Sequence, residues 1–283
     1  MFSNICDCLM IFGPSLHFFI YYMGRAPMLH MYPTTMEGKM SDFNLNDHVY
    51  RLLQSEPFFA ALSRRIEKRA SEAVPTAGVR VNEDGYFEMI YNPAFFAGLP
   101  DVQRTGVLVH EFYHLVFEHV TGRLPDELAG VMHNRNPSPE LQQRFKLWNI
   151  AADLSINYHI GADKLPEKCC IPGGPQFEDM PGDKPAEWYF DKLIQKMEEQ
   201  EENENGDGSD SSGGDSGGSG GESSDSKFDP DNAGQFDSHA EWGEGQANEQ
   251  AQEALDIAKE RLKEAMKDAT QEASNKGWGS VGA

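Results

Sequence analysis

Basic residues, cysteines and long apolar runs are all scarce in this chain of 283 residues, and each scarcity removes a class of function. Lys and Arg number 24 against 46 Asp and Glu, a formal charge of −22. A nucleic-acid binder needs clustered Lys and Arg to displace counterions from phosphates, so the charge balance argues against that class. Anionic membrane surfaces are disfavoured by the same deficit. The four cysteines fall as Cys6, Cys8 and the adjacent Cys169 and Cys170, with neither the spacing of a disulfide scaffold nor a CxxC knuckle. A reduced, cytoplasmic protein is the expectation. The apolar run Leu9–Met23 is 15 residues long and contains Pro14 and His17, short of the roughly 20 that span a bilayer. Only Asp7 stands ahead of it, where a signal peptide would carry basic residues. No internal repeat is visible.

What is present is one core's worth of apolar residues, 39% of the chain with 17 Phe and 4 Trp, and a sharp change of composition late in the sequence. Residues 1–39 form an N-terminal extension and a candidate mis-set start, because Met40-Ser41-Asp42 has the look of an ordinary beginning. Residues 40–197 carry the domain. A helical pattern from Asn44 to about Ala73, broken at Pro57, uses Val49, Leu52, Leu53, Phe58, Phe59, Leu62 and Ile66. Gly78–Val81 and Tyr86–Tyr91 alternate around a turn ending in Asp84-Gly85 and predict a hairpin. Helices are expected over about Asp101–Thr121, closed by Gly122, over about Glu140–Ile160, and over Ala186–Met197. Residues 198–234 read as a disordered acidic Ser/Gly-rich linker, too poor in apolar groups to offset ordering entropy. Residues 235–283 form a C-terminal helical segment centred on Asn248–Ser274. The fold class is α+β, mainly helical, with a small hairpin or sheet beside the central helix.

That central helix contains Val107-Leu108-Val109-His110-Glu111-Phe112-Tyr113-His114, an HExxH string in an apolar run. At about 100° per residue, positions four apart differ by only about 40°, so His110 and His114 share a face and can reach one ion. Glu111 lies near that face and can hold a zinc-bound water as a general base. Burying two histidines and a glutamate without a partner is costly, and a metal is the obvious partner. Chance remains the bland explanation of any such string.

A catalytic zinc takes a third protein ligand. His119 is nearest in sequence, but nine residues beyond His110 it would stand about 180° round a continuous helix, and no glycine between His114 and His119 offers a bend. That geometry favours a helix-end histidine beside the ligands over direct coordination. Asp153 is the stronger contender. With Asn149 and Asn157 it makes a polar stripe at spacings of four on an otherwise apolar helix, where Ala151 and Ala152 permit close approach of a neighbour. His110, His114 and Asp153 would then hold the metal, with Asn149 and Asn157 orienting them. A solvated polar face is the alternative. Tyr158, His159, Tyr189 and His239 are each candidates for the oxyanion donor, and Cys169-Cys170 is read as structural or incidental.

The order of these features resembles a bacterial and phage family of metallopeptidases whose longer members carry a C-terminal von Willebrand factor A-like domain. The matching pieces are Tyr91-Asn92-Pro93, His110-Glu111-Phe112-Tyr113-His114 with His119, Trp148-Asn149-Ile150-Ala151-Ala152-Asp153 with Ile156-Asn157, Glu187-Trp188-Tyr189 and Ser238-His239-Ala240-Glu241-Trp242. The resemblance implies a zincin-like fold, one zinc ion per chain and proteolysis of a protein or peptide substrate. This sequence ends before any von Willebrand-type domain, the expectation being a short version or a truncated frame. In such folds an edge strand binds substrate by strand addition, and Tyr86–Tyr91 is the candidate, an ordinary hairpin covering a helix being the equal alternative. A zinc-stabilised, non-catalytic interaction module, recruiting a protein partner through the acidic linker and terminal helix, is the main alternative function. A degenerate assembly factor is a third, against which the intact Glu111 argues.

Overall fold

A computed structural model describes residues 43–125, 128, 136–206, 228–233 and 249–275. The chain divides between Lys39 and Met40, and every described residue belongs to the second unit. The expected N-terminal extension and His239 lie outside the described residues.

The fold opens with α1 (Leu45–Ser55), whose N-cap Asn44 accepts from the Asn46 amide, and α2 (Pro57–Ser63), which starts on the proline that ends the first helical run. The chain then departs from expectation. Ile66–Ala70 is not a continuation of the helix but strand β1. Its Glu-Lys-Arg sequence has good helical propensity, and tertiary pairing overrides it: β1 runs parallel to a later strand, with Ile66 buried at 4% exposure. Strands β2 (Ala77–Val81) and β3 (Phe87–Tyr91) form the expected antiparallel hairpin. Its turn is set by Asn82, whose side chain accepts from the amides of Asp84 and Tyr86, and by Gly85 at φ +71°.

The sheet order is β1-β3-β2. Strand β3 is therefore central and paired on both sides, which overturns its candidacy as the substrate-binding edge. Glu88 on β3 is gripped by Arg69 of β1 at 2.6 Å and Arg80 of β2 at 2.7 Å. Burial alone would raise its carboxyl pKa, but the hydrogen bonds and charges of the two guanidinium groups outweigh it and hold it below the ordinary range.

Asn92 ends β3 and caps α3 (Pro93–Gly98), accepting from the Ala94 amide. Helix α4 (Asp101–Val116) carries the histidines, and α5 (Pro139–Ile160), capped by Ser138 and stopped by Gly161 at φ +92°, carries the polar stripe. The two pack together, with Phe112, Leu108, Trp148, Ala151 and Ala152 fully buried. Large core side chains of this kind contribute about 1.5–3 kcal/mol each.

Helix α6 (Ala186–Gly206) extends past the expected end at Met197, since the Glu-rich run after it favours helix. Residues 228–233 also depart from the linker expectation. Phe228 is 2% exposed and sits edge-on to Phe177, with the Lys196 amine over its ring. One aromatic anchor thus holds a segment whose composition reads as unstructured. Helix α7 (Glu249–Ser274) is not an independent segment: Ala258, Leu262, Ala265, Ala269 and Ala273 face the common core, and the helix packs on α2. Arg65 pairs with Asp268 at 2.5 Å, and Arg261 covers the Tyr86 ring at 3.7 Å.

The position of α4 depends on Gly106. A Cβ there would stand 1.9 Å from the carbonyl oxygen of Lys164, in the 3-10 turn Ala162–Lys164 that follows α5. Alanine is worth about 1 kcal/mol more than glycine within a helix. Gly106→Ala is nevertheless expected to destabilise the fold by about 1–3 kcal/mol, the usual cost of overpacking. Denaturant midpoints measure this, and a stabilised variant would contradict the close approach of α4 to that turn.

Candidate metal centre

The Nε2 atoms of His110 and His114 lie 3.0 Å apart, and both face the Asp153 carboxylate, whose Oδ1 is 3.7 Å from the first and 3.5 Å from the second. All three residues are fully buried. The structure thus brings together the two histidines of α4 and the aspartate of α5, from the middle of two packed helices. The solvated-face alternative for the Asp153 stripe does not hold, because Asn149, Asp153 and Asn157 are all buried.

Two contacts behind the imidazoles fix their orientation. Asn157 donates through Nδ2 to the Cys170 carbonyl at 2.9 Å, which leaves its Oδ1 facing His110 Nδ1 at 2.8 Å. His110 must then carry its proton on Nδ1 and present a bare lone pair at Nε2. His119 Nδ1 lies 3.1 Å from His114 Nδ1. With the His114 Nδ1 proton donated to His119, the second Nε2 lone pair faces the same point.

His119 reaches this position by a route that the helical-wheel reading missed. Helix α4 ends at Val116, and Glu118 takes a left-handed conformation at φ 57°. The His119 amide donates to the His114 carbonyl and the Glu118 amide to the Leu115 carbonyl, both at 2.9 Å. This is a Schellman closure with glutamate where glycine usually stands. It folds residue 119 back over residue 114, so the expectation of a helix to Thr121 fails while the expectation of a histidine beside the ligands agrees with the geometry. The only local cue was the spacing of five between the two histidines, which matches the residues joined by such a closure.

Asn149 is on the same face of α5 as Asp153, yet no hydrogen bond joins it to any described residue, so the ligand-orienting contact is made by Asn157. Glu111 is fully buried, next along α4 from His110. Tyr189 donates its hydroxyl to the Pro181 carbonyl at 2.7 Å. Burial pushes the Cys169 thiol up to about 11, and Cys170 Sγ contacts the Ala233 carbonyl at 3.1 Å, so neither cysteine is poised as a thiolate ligand. Among the described residues, the group able to hold a metal ion is His110, His114 and Asp153.

The donor set fits zinc. Bonds of about 2.0–2.1 Å at tetrahedral angles place ligand atoms about 3.3 Å apart, and the three separations here, 3.0, 3.5 and 3.7 Å, bracket that value. Two imidazoles and one carboxylate are donor types that suit a metal ion of this kind.

A family model described as "putative metallopeptidase domain" matches residues 43–281. No curated protein and no solved structure matches the chain. Among the described residues, no helix is long and apolar enough to cross a membrane.

The contacts behind the ligands set a measurable expectation. Asn157→Ala and His119→Ala should each weaken zinc binding by about 10–100-fold. Competition against a chromophoric chelator reads this directly, and wild-type affinity in both variants would show that these contacts do not orient the ligands.

Proposed function

The chain belongs to this metallopeptidase-domain family, and on that premise we propose that it is a zinc-dependent peptidase acting on protein or peptide substrates. The observation that carries the reading is the convergence of His110 Nε2, His114 Nε2 and Asp153 Oδ1 on one buried point. His110, His114 and Asp153 would hold the ion. Zinc, when bound, supplies Lewis acidity: it polarises the scissile carbonyl and lowers the pKa of a water to about 7.

The protein's own groups do the rest. Asn157 and His119 keep the imidazoles turned inward. Glu111, one position along α4 from His110, takes the proton of the attacking water and returns it to the departing amine. The fully buried setting keeps bulk water from competing for these groups and strengthens every charge interaction within it.

A structural zinc site is normally closed by four protein ligands. The described residues bring three, which favours the enzyme over the zinc-stabilised module. Recruitment of a protein partner through the C-terminal helix would have to use its outer face, with Gln252, Glu253, Asp256 and Glu260 exposed, because its Ala/Leu face is taken up by the core.

Glu111→Gln separates metal binding from chemistry. The variant is expected to keep about one zinc per chain and to lose hydrolysis of denatured protein substrates by about 10²–10⁴-fold, the range for a general base. Wild-type turnover by a zinc-loaded Glu111→Gln protein would remove Glu111 from that role.

A further inference from the structure

The peptidase reading leaves the donor to the developing oxyanion unassigned. Of the side chains whose chemistry suits the task, Tyr189 is committed to the Pro181 carbonyl and fully buried. Tyr158 and His159 stand five and six residues beyond Asp153 on α5, about 140° and 120° away from the metal-facing side. Their placement agrees with this. Tyr158 is 48% exposed with its ring lying against Gly182, and His159 stacks on Tyr113 and packs edge-on to Phe117.

Asn149 differs from all of these. It precedes Asp153 by four residues, which keeps it within about 40° of the metal-facing side and about one turn, or 6 Å, along the helix. Its neighbour Trp148 packs edge-on to His119, the residue behind His114. Asn149 is 8% exposed, and its buried Oδ1 has no hydrogen-bond partner among the described residues. An unsatisfied buried amide costs about 1–3 kcal/mol and calls for a reason. Asn157 shows the contrast: the same residue type, one turn on the other side of Asp153, has both ends of its amide engaged. Along the stripe Asp153 and Asn157 are sealed at 0%, so it meets solvent at its Asn149 end.

We infer that Asn149 is a substrate-contacting catalytic residue, whose Nδ2 donates to the scissile carbonyl oxygen and does so more strongly as that oxygen becomes an oxyanion. Among the described residues no hydrogen bond fixes which way the amide faces, so it can turn Nδ2 towards the substrate while Oδ1 accepts a backbone N–H of the peptide. The peptide's own carbonyl and amide are the complementary partners that this side chain lacks. The inference rests on the peptidase reading.

The test uses the full zinc-loaded chain and its Asn149→Ala and Asn149→Asp variants, with fluorescein-labelled casein as substrate and chelator competition for zinc affinity. Asn149→Ala should bind zinc within about two-fold of wild type and keep KM within a few-fold. Its kcat should fall by about 10²–10³-fold, the loss typical of one oxyanion donor. Asn149→Asp should turn over more slowly still, because a carboxylate there repels the oxyanion. Wild-type kcat in Asn149→Ala overturns the assignment and leaves the peptidase reading standing. So does a loss that tracks weakened zinc binding, or an Asp variant at or above the Ala variant. A zinc-loaded wild-type chain that leaves casein intact overturns both.

Discussion

Three acceptor atoms aimed at one another in the dry middle of a protein are a physical problem that the rest of this fold is arranged around. Imidazole lone pairs and a carboxylate oxygen repel at 3.0–3.7 Å unless a proton or a cation lies between them. The hydrogen bond that Asn157 Oδ1 accepts from His110 removes one way out, because it holds the His110 proton on the far nitrogen. His119 keeps the other imidazole adjustable. When His119 donates to His114, the His114 Nε2 proton can bridge to His110. When His114 donates to His119, both Nε2 lone pairs face the same point. The two arrangements differ only in which ring nitrogens carry the protons.

The scaffold serves that point. Helices α4 and α5 meet through small and aromatic residues, and Gly106 lets α4 approach the backbone of the turn that closes α5. The Schellman closure at Glu118 ends α4 where His119 can fold back, and the Arg123 guanidinium then binds Glu187 of α6 through two hydrogen bonds. The Cys170 carbonyl, from the irregular Pro/Gly-rich segment, anchors Asn157. The two histidines are therefore each held from behind by a different part of the chain. That is the preorganisation a metal site requires, built on rigid helices rather than on loops.

Much of the site was legible because helical spacing is a strict code. His110 and His114 at four, and Asn149, Asp153 and Asn157 at four, place themselves once the helices are assumed, and a carboxylate inside an apolar run asks for a cation. The hairpin was equally plain from its alternation and its Asp-Gly turn. What the sequence concealed was tertiary. Ile66–Ala70 has helical composition and becomes a strand only because β3 offers it a partner, and that same pairing makes β3 central. Glu118 adopts a backbone conformation usual for glycine, so no residue type announced the end of α4. Phe228 and the alanine face of α7 are anchors whose worth depends on surfaces far away in sequence. The difference between Asn157, tied at both ends, and Asn149, whose Oδ1 meets no hydrogen-bond partner among the described residues, cannot be read from two identical letters on one stripe.

Zinc K-edge X-ray absorption on the purified full-length chain tests the central claim most directly. The account predicts about one zinc per chain in a shell of nitrogen and oxygen only, with two imidazoles and one carboxylate from the protein and a light fourth neighbour at about 2.0–2.2 Å. A chain that takes up no zinc would contradict it, as would a shell containing sulfur at about 2.3 Å or one closed by a fourth protein ligand.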